Sequence, residues 1–98
     1  MKILAIEKEI EGTDSKLFLL HAKEEALKVW EYYQKGIIRE IYFRDAKNEA
    51  VIILECKDEI EARNFIKTLP LVEQGLIDLE IIPLKPYPGF ERLFENHK

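Results

Sequence analysis

The chain has 98 residues, room for one small domain and no second core. Fifteen Lys and Arg against nineteen Asp and Glu leave a net charge of -4, which argues against nucleic acid or an anionic membrane as a partner, since both need a basic face. The longest aliphatic run, Ala50 to Leu54, falls far short of the ~20 residues that span a bilayer. Met1 to Lys8 lacks the long apolar stretch of a signal peptide. The single cysteine, Cys56, has no intramolecular disulfide partner, which fits a reducing compartment. These features predict a cytoplasmic domain.

In chain order, Lys2 to Lys8 reads as a strand. Residues 9 to 16 are polar and offer Thr13, Asp14 and Ser15 as helix caps. From Leu17 to Lys35 the apolar residues Leu19, Ala26, Trp30 and Tyr33 recur at helical spacing, and Gly36 supplies the stop. Ile37 to Arg44 and Glu49 to Cys56 form a hairpin around the turn Asp45-Ala46-Lys47-Asn48. Asp58 with Glu61 resembles a capping box and opens a helix with Ala62, Phe65, Ile66 and Leu69 inward, ended by Pro70. Leu76 to Leu84 is a fourth strand. The order βαββαβ predicts an α+β, ferredoxin-like domain over residues 1–85: a four-stranded antiparallel sheet with two helices on one face. Residues 86–98 are left as a C-terminal arm.

Alternation along the strands leaves the helix-free face apolar. Val51 and Ile53 lie opposite Ala50, Ile52 and Leu54 on the third strand, and Ile3 and Ala5 of the first strand are assigned to the same uncovered side. Two helices cover one face only, so a second sheet is expected on the other: a homodimer, or a higher assembly of dimers.

Several chemistries are excluded by counting. Glycines at 12, 36, 75 and 89 form neither a dinucleotide fingerprint nor a phosphate loop. His21, His97 and Cys56 share no metal-ligand spacing, and Ser15, the one serine, has no triad pattern around it. No cofactor or metal is expected, and catalysis falls to carboxylates, Arg, Tyr or His.

Gly36-Ile37-Ile38-Arg39, the hairpin after it, Leu69-Pro70-Leu71, and Ile77 to Leu84 with its proline resemble the muconolactone isomerase-like proteins. The resemblance runs from Glu25 to Phe94 and is closest to a branch in which segments like Gly36-Ile37-Ile38-Arg39-Glu40 and Pro83-Leu84-Lys85-Pro86-Tyr87 recur. It implies a dimeric α+β barrel of two ferredoxin-like sheets, a small organic ligand and, for the true isomerases, a cofactor-free proton shift on an unsaturated lactone. The chain departs from those enzymes at Ile38, where they carry aromatics beside the arginine, at Asn48-Glu49-Ala50 entering the third strand, and at Val72-Glu73-Gln74.

Arg39 shares a strand parity with Ile37, Ile41 and Phe43, which points it toward the helices. Such a guanidinium is either an anion or enolate clamp in a helix–sheet pocket or one half of an ion pair at the sheet edge. Glu25, about 120° from the Leu19–Trp30 stripe, is either a pocket-rim general base or a solvated flank residue. His21 suits proton transfer by its ordinary pKa, yet the helical wheel turns it away from the stripe. Trp30 and Tyr33 read as core residues or as the aromatic wall of a pocket. On the other sheet face alternation groups Glu7, Glu40, Tyr42 and Glu55 with Arg44 nearby, either an acid/base cluster that binds ligand or a wet rim of the dimer interface.

The functional readings are a cofactor-independent isomerase or related acid/base catalyst, and a non-catalytic dimeric module that binds a small ligand or assembles. A cofactor-free monooxygenase-like enzyme is a lesser alternative. The isomerase reading requires a closed pocket between helices and sheet that holds Arg39 and at least one carboxylate or histidine; the module reading fills that space with Trp30, Tyr33, Phe43 and Phe65. An RNA-binding role lacks the aromatics its third strand would need. The arm carries Tyr87, Phe90, Leu93 and Phe94, too apolar for a solvated terminus, and is expected to dock on the domain or on a partner subunit.

Overall fold

A computed structural model describes residues 1–8 and 10–95. Seven elements precede the arm: β1 (Lys2–Lys8), α1 (Ser15–Gln34), β2 (Ile38–Phe43), β3 (Ala50–Glu55), α2 (Glu59–Lys67), α3 (Pro70–Glu73) and β4 (Asp78–Pro83). The strands form one sheet in the order β2-β3-β1-β4, every neighbouring pair antiparallel. This is the ferredoxin-like arrangement.

Local chemistry sets the boundaries. Asp14 Oδ1 accepts from the Lys16 amide at 2.8 Å and opens α1. Gly36, at φ +77°, closes it: its amide reaches Tyr33 O and the next one reaches Tyr32 O. Asp58 Oδ1 accepts from the Glu61 amide, while the Glu61 carboxylate reaches back to the Lys57 amide, so the predicted capping box closes one residue early. Pro70 does more than end a helix. It begins α3, a single turn that seats Leu71 in the core.

The core is the helix side of the sheet. Ile3 and Ala5 are both fully buried, paired across β3 with Leu54 and Ile52. Their sequence assignment to the uncovered side is therefore reversed. All four residues Ile3 to Ile6 are apolar, so alternation alone could not choose a side; the register does. Leu4 and Ile6 take the helix-free face, level with Ile53, Val51 and Ile82, all of them half-buried.

A second correction concerns α1. Its inward line is Phe18, Ala22, Glu25, Val29 and Tyr32, about a quarter turn from the Leu19–Trp30 stripe. Leu19 is 75% exposed and Trp30 54%. The helix packs against β2 and α3, whereas α2 packs against β4 and α3. Tyr32 ties α1 to the α2 terminus by a hydrogen bond to the Thr68 hydroxyl and an edge contact with Phe65.

The third correction is in β2. Ile38 pairs with Leu54 and Glu40 with Ile53, two steps against one, so Arg39 is the extra residue of a β-bulge. Ile38, not Ile37, fills the core, and alternation resumes with Ile41 and Phe43 on the helix side.

Candidate functional site

A cavity of about 900 Å³ opens between α1, α3 and the sheet. Small side chains keep it open: Ala22 and Ala26 from α1 face Ala50 from β3. Phe18, Val29, Ile52, Leu69, Leu71 and Leu79 supply apolar wall. Trp30 and Tyr33, stacked 5.8 Å apart, stand with Ile41, Tyr42 and Phe43 on the more exposed side. Of the four aromatics named for the module reading, Trp30, Tyr33 and Phe43 line this space and Phe65 does not.

Of the three carboxylates that line this space, Glu7 and Glu25 are half-buried and Glu40 is exposed. Glu25 Oε1 accepts from the Leu71 amide at 3.0 Å. Burial pushes its pKa above the ordinary carboxylate value, the Leu71 hydrogen bond opposes that, and the charge of Glu7 adds to it. Glu7 Oε1 accepts from the Ala50 amide at 3.1 Å. Its pKa is likewise raised, first by burial and further by Glu49, against the Ala50 hydrogen bond. Glu7 also belongs to the wall of an adjoining cavity of about 360 Å³ that includes Lys8, Lys47 and Asn48. The sequence reading missed Glu7 as a cavity residue because it followed the misassigned parity of Ile3 and Ala5. The repeated pattern Ile3-Ala5-Glu7, an acid ending an apolar strand face, was the available signal.

Arg39 lies in the cavity lining, at the bulge of β2. Its Nε donates to Gly36 O at 2.7 Å, and the guanidinium lies over Gly36, where an added Cβ would meet it at 3.8 Å. Glu40 and Tyr42 line the cavity from the same edge strand. The Tyr42 hydroxyl donates to Glu40 Oε1 at 2.8 Å, and that hydrogen bond raises its pKa.

Two of the sequence candidates lie elsewhere. His21 is not in the lining; its Nδ1 is buried without a hydrogen bond, 3.5 Å from Glu24 Oε2. Glu55 sits on the helix-free face, 3.3 Å from the N-terminal ammonium. Among the described residues no three His, Cys, Asp or Glu side chains group as metal ligands would. His97 lies outside the described residues. No helix of the described chain is long and apolar enough to cross a membrane.

The crystal structure of muconolactone isomerase superposes with a TM-score of 0.70 at 15% identity, covering 90% of this chain and 92% of that one. The fold is muconolactone isomerase-like. At this identity the likeness shows the fold alone. No family model matches the chain, and no curated protein does.

Proposed function

We propose that the cavity carries out a cofactor-independent proton shift on a small, mostly apolar unsaturated carbonyl compound. The observation that carries this reading is a pair of carboxylates, Glu7 and Glu25, in one apolar cavity, both with pKa values raised by burial. Repulsion between them favours a state in which one keeps its proton while the other is ionised. Glu25, held by the Leu71 amide, takes a proton from the carbon next to the carbonyl. The electron pair moves onto the carbonyl oxygen, and the Arg39 guanidinium stabilises that enolate charge. Glu7 returns a proton at the far carbon of the conjugated system, which re-forms the carbonyl and shifts the double bond. Exchange with water through the adjoining cavity resets the pair. Composition is unchanged overall, as an isomerisation requires. The fold neighbour's own name, an isomerase of muconolactone, agrees in reaction class.

The same reading includes a homodimer, because Leu4, Ile6, Val51, Ile53 and Ile82 leave the helix-free face half-buried and apolar within one chain. Proton NMR in D2O with muconolactone and other unsaturated lactones tests the chemistry. The protein should exchange or shift the activated C–H, and Glu25→Gln should lose about 10²–10⁴ of that rate. The acid limb of the rate should lie above the pH at which an ordinary glutamate ionises. A rate equal in the protein and in Glu25→Gln would sink the proposal.

A further inference from the structure

The polar groups of the cavity are sorted by depth. Where the wall is half-buried they are Glu7 and Glu25. Each carboxylate is anchored through one oxygen only: Glu25 Oε1 takes the Leu71 amide at 3.0 Å and Glu7 Oε1 takes the Ala50 amide at 3.1 Å. Among the described residues no protein donor reaches the second oxygen of either. No described Ser, Thr, Lys or His lines this cavity to supply one. Where the wall is exposed the order is reversed and donors stand free: the Trp30 indole N–H, the Tyr33 hydroxyl, and an Arg39 guanidinium held only at Nε by Gly36 O. Glu40, on that side, already accepts from the Tyr42 hydroxyl. The exposed Asn48 stands where the smaller cavity adjoins.

This arrangement constrains what can fill the space. A carboxylate oxygen without a protein donor is satisfied by water until a ligand displaces that water. The ligand must then bring a hydrogen of its own, because a charged acceptor left dry and unpaired is costly. A ring hydroxyl brings one. An ether or a hydrocarbon brings none. An acid group brings none either, and adds a charge that the pair repels. Three carboxylates against one guanidinium keep the lining negative even when one of the pair holds a proton. The apolar wall selects for shape: Ala22, Ala26 and Ala50 leave room, and the Trp30 and Tyr33 rings, 15° from parallel, offer flat faces. About 900 Å³ is in the range that takes drug-sized molecules, well beyond one small ring.

We infer that the cavity takes an uncharged, flat compound of two or more rings, with a hydroxyl donating to the Glu7–Glu25 end and a carbonyl toward Arg39. Acids of the same size are turned away. The inference names the substrate class of the site proposed above and rests on this cavity being that site, but it does not need the proton shift to occur.

Three probes of nearly one size separate the terms: 2-naphthol, its methyl ether and 2-naphthoate. They share the fused ring, and at neutral pH only the first is an uncharged donor. NMR titration of the nitrogen-15-labelled full chain reads binding at the Leu71 and Ala50 amides, which donate to the two carboxylates. 2-Naphthol should bind at least about tenfold more tightly than either of the others. In Glu7→Gln/Glu25→Gln, which keeps the shape and removes both charges, its advantage over 2-naphthoate should shrink to under about threefold. Circular dichroism checks the fold, and the order of the three probes in the intact protein remains a test if the double variant does not fold. Methyl ether or naphthoate binding as tightly as naphthol in the intact protein overturns the inference. So does a naphthol preference that persists unchanged in the folded double variant, or an absence of shifts at both amides with all three probes at millimolar concentration. A protein that prefers naphthol yet exchanges no activated C–H in D2O would fail the acid–base reading and uphold this one; exchange without the preference would fail this one alone.

Discussion

One sheet supports two differently built halves. Beneath α2 the interior is filled: Ile3, Leu54, Ala62, Ile66 and Ile81 are 0–8% exposed, and none of them touches the cavity. Beneath α1 the chain places alanines where larger side chains would pack, and Glu7 and Glu25 where aliphatics would be more stable. The first half secures the fold. The second gives up packing to hold two carboxylates in apolar surroundings, the pattern expected of a site under functional constraint.

That comparison can be broken at three depths. The largest effect is expected from Leu54→Ala in the filled half, which should cost about 2–5 kcal/mol in chemical denaturation. Phe43→Ala, at the exposed side of the cavity, should cost under about 1 kcal/mol. Equal losses would mean that the two halves are not energetically distinct.

Next in size is a test by insertion. Ala50 and Ala62 are similarly buried, at 7% and 0% exposed. Ala62→Leu meets packed neighbours and should destabilise by about 1–3 kcal/mol. Ala50→Leu can extend into the cavity and should be close to neutral, while weakening any ligand that occupies it. If Ala50→Leu costs as much as Ala62→Leu, the cavity is not available space in solution.

The smallest effect sharpens the electrostatic part. Glu25 keeps its proton to a higher pH folded than unfolded. As pH rises from the ordinary carboxylate value through the raised one, the unfolded chain has ionised first, so folding weakens over that window and stays weaker above it. Glu25→Gln keeps an oxygen for the Leu71 amide but carries no charge. It should melt higher at neutral pH, with the gain vanishing below the ordinary carboxylate range. Glu7→Gln should behave alike. A variant that melts lower at neutral pH would show that the carboxylate stabilises the fold, contrary to the direction argued here.

By itself the sequence determined the order and ends of the elements, because those depend on contacts a few residues apart. Asp14 and Asp58 cap helices, Gly36 supplies a left-handed stop, Pro70 restarts the chain, and the 45–48 turn joins a hairpin. The element order then leaves few topologies, and the ferredoxin-like sheet is among them. What the tertiary structure decided is which way side chains face. Both sides of β1 are apolar, so only pairing with β3 turned Ile3, Ala5 and Glu7 inward. The apolar positions of α1 wrap more than half of its circumference, and packing against β2 and α3 chose the line through Glu25 over the one through Trp30. A single extra residue in β2 shifted Ile38 into the core in place of Ile37. Each of these is a choice between near-equivalent local patterns, made by partners distant in sequence, and the candidate site is assembled from those choices.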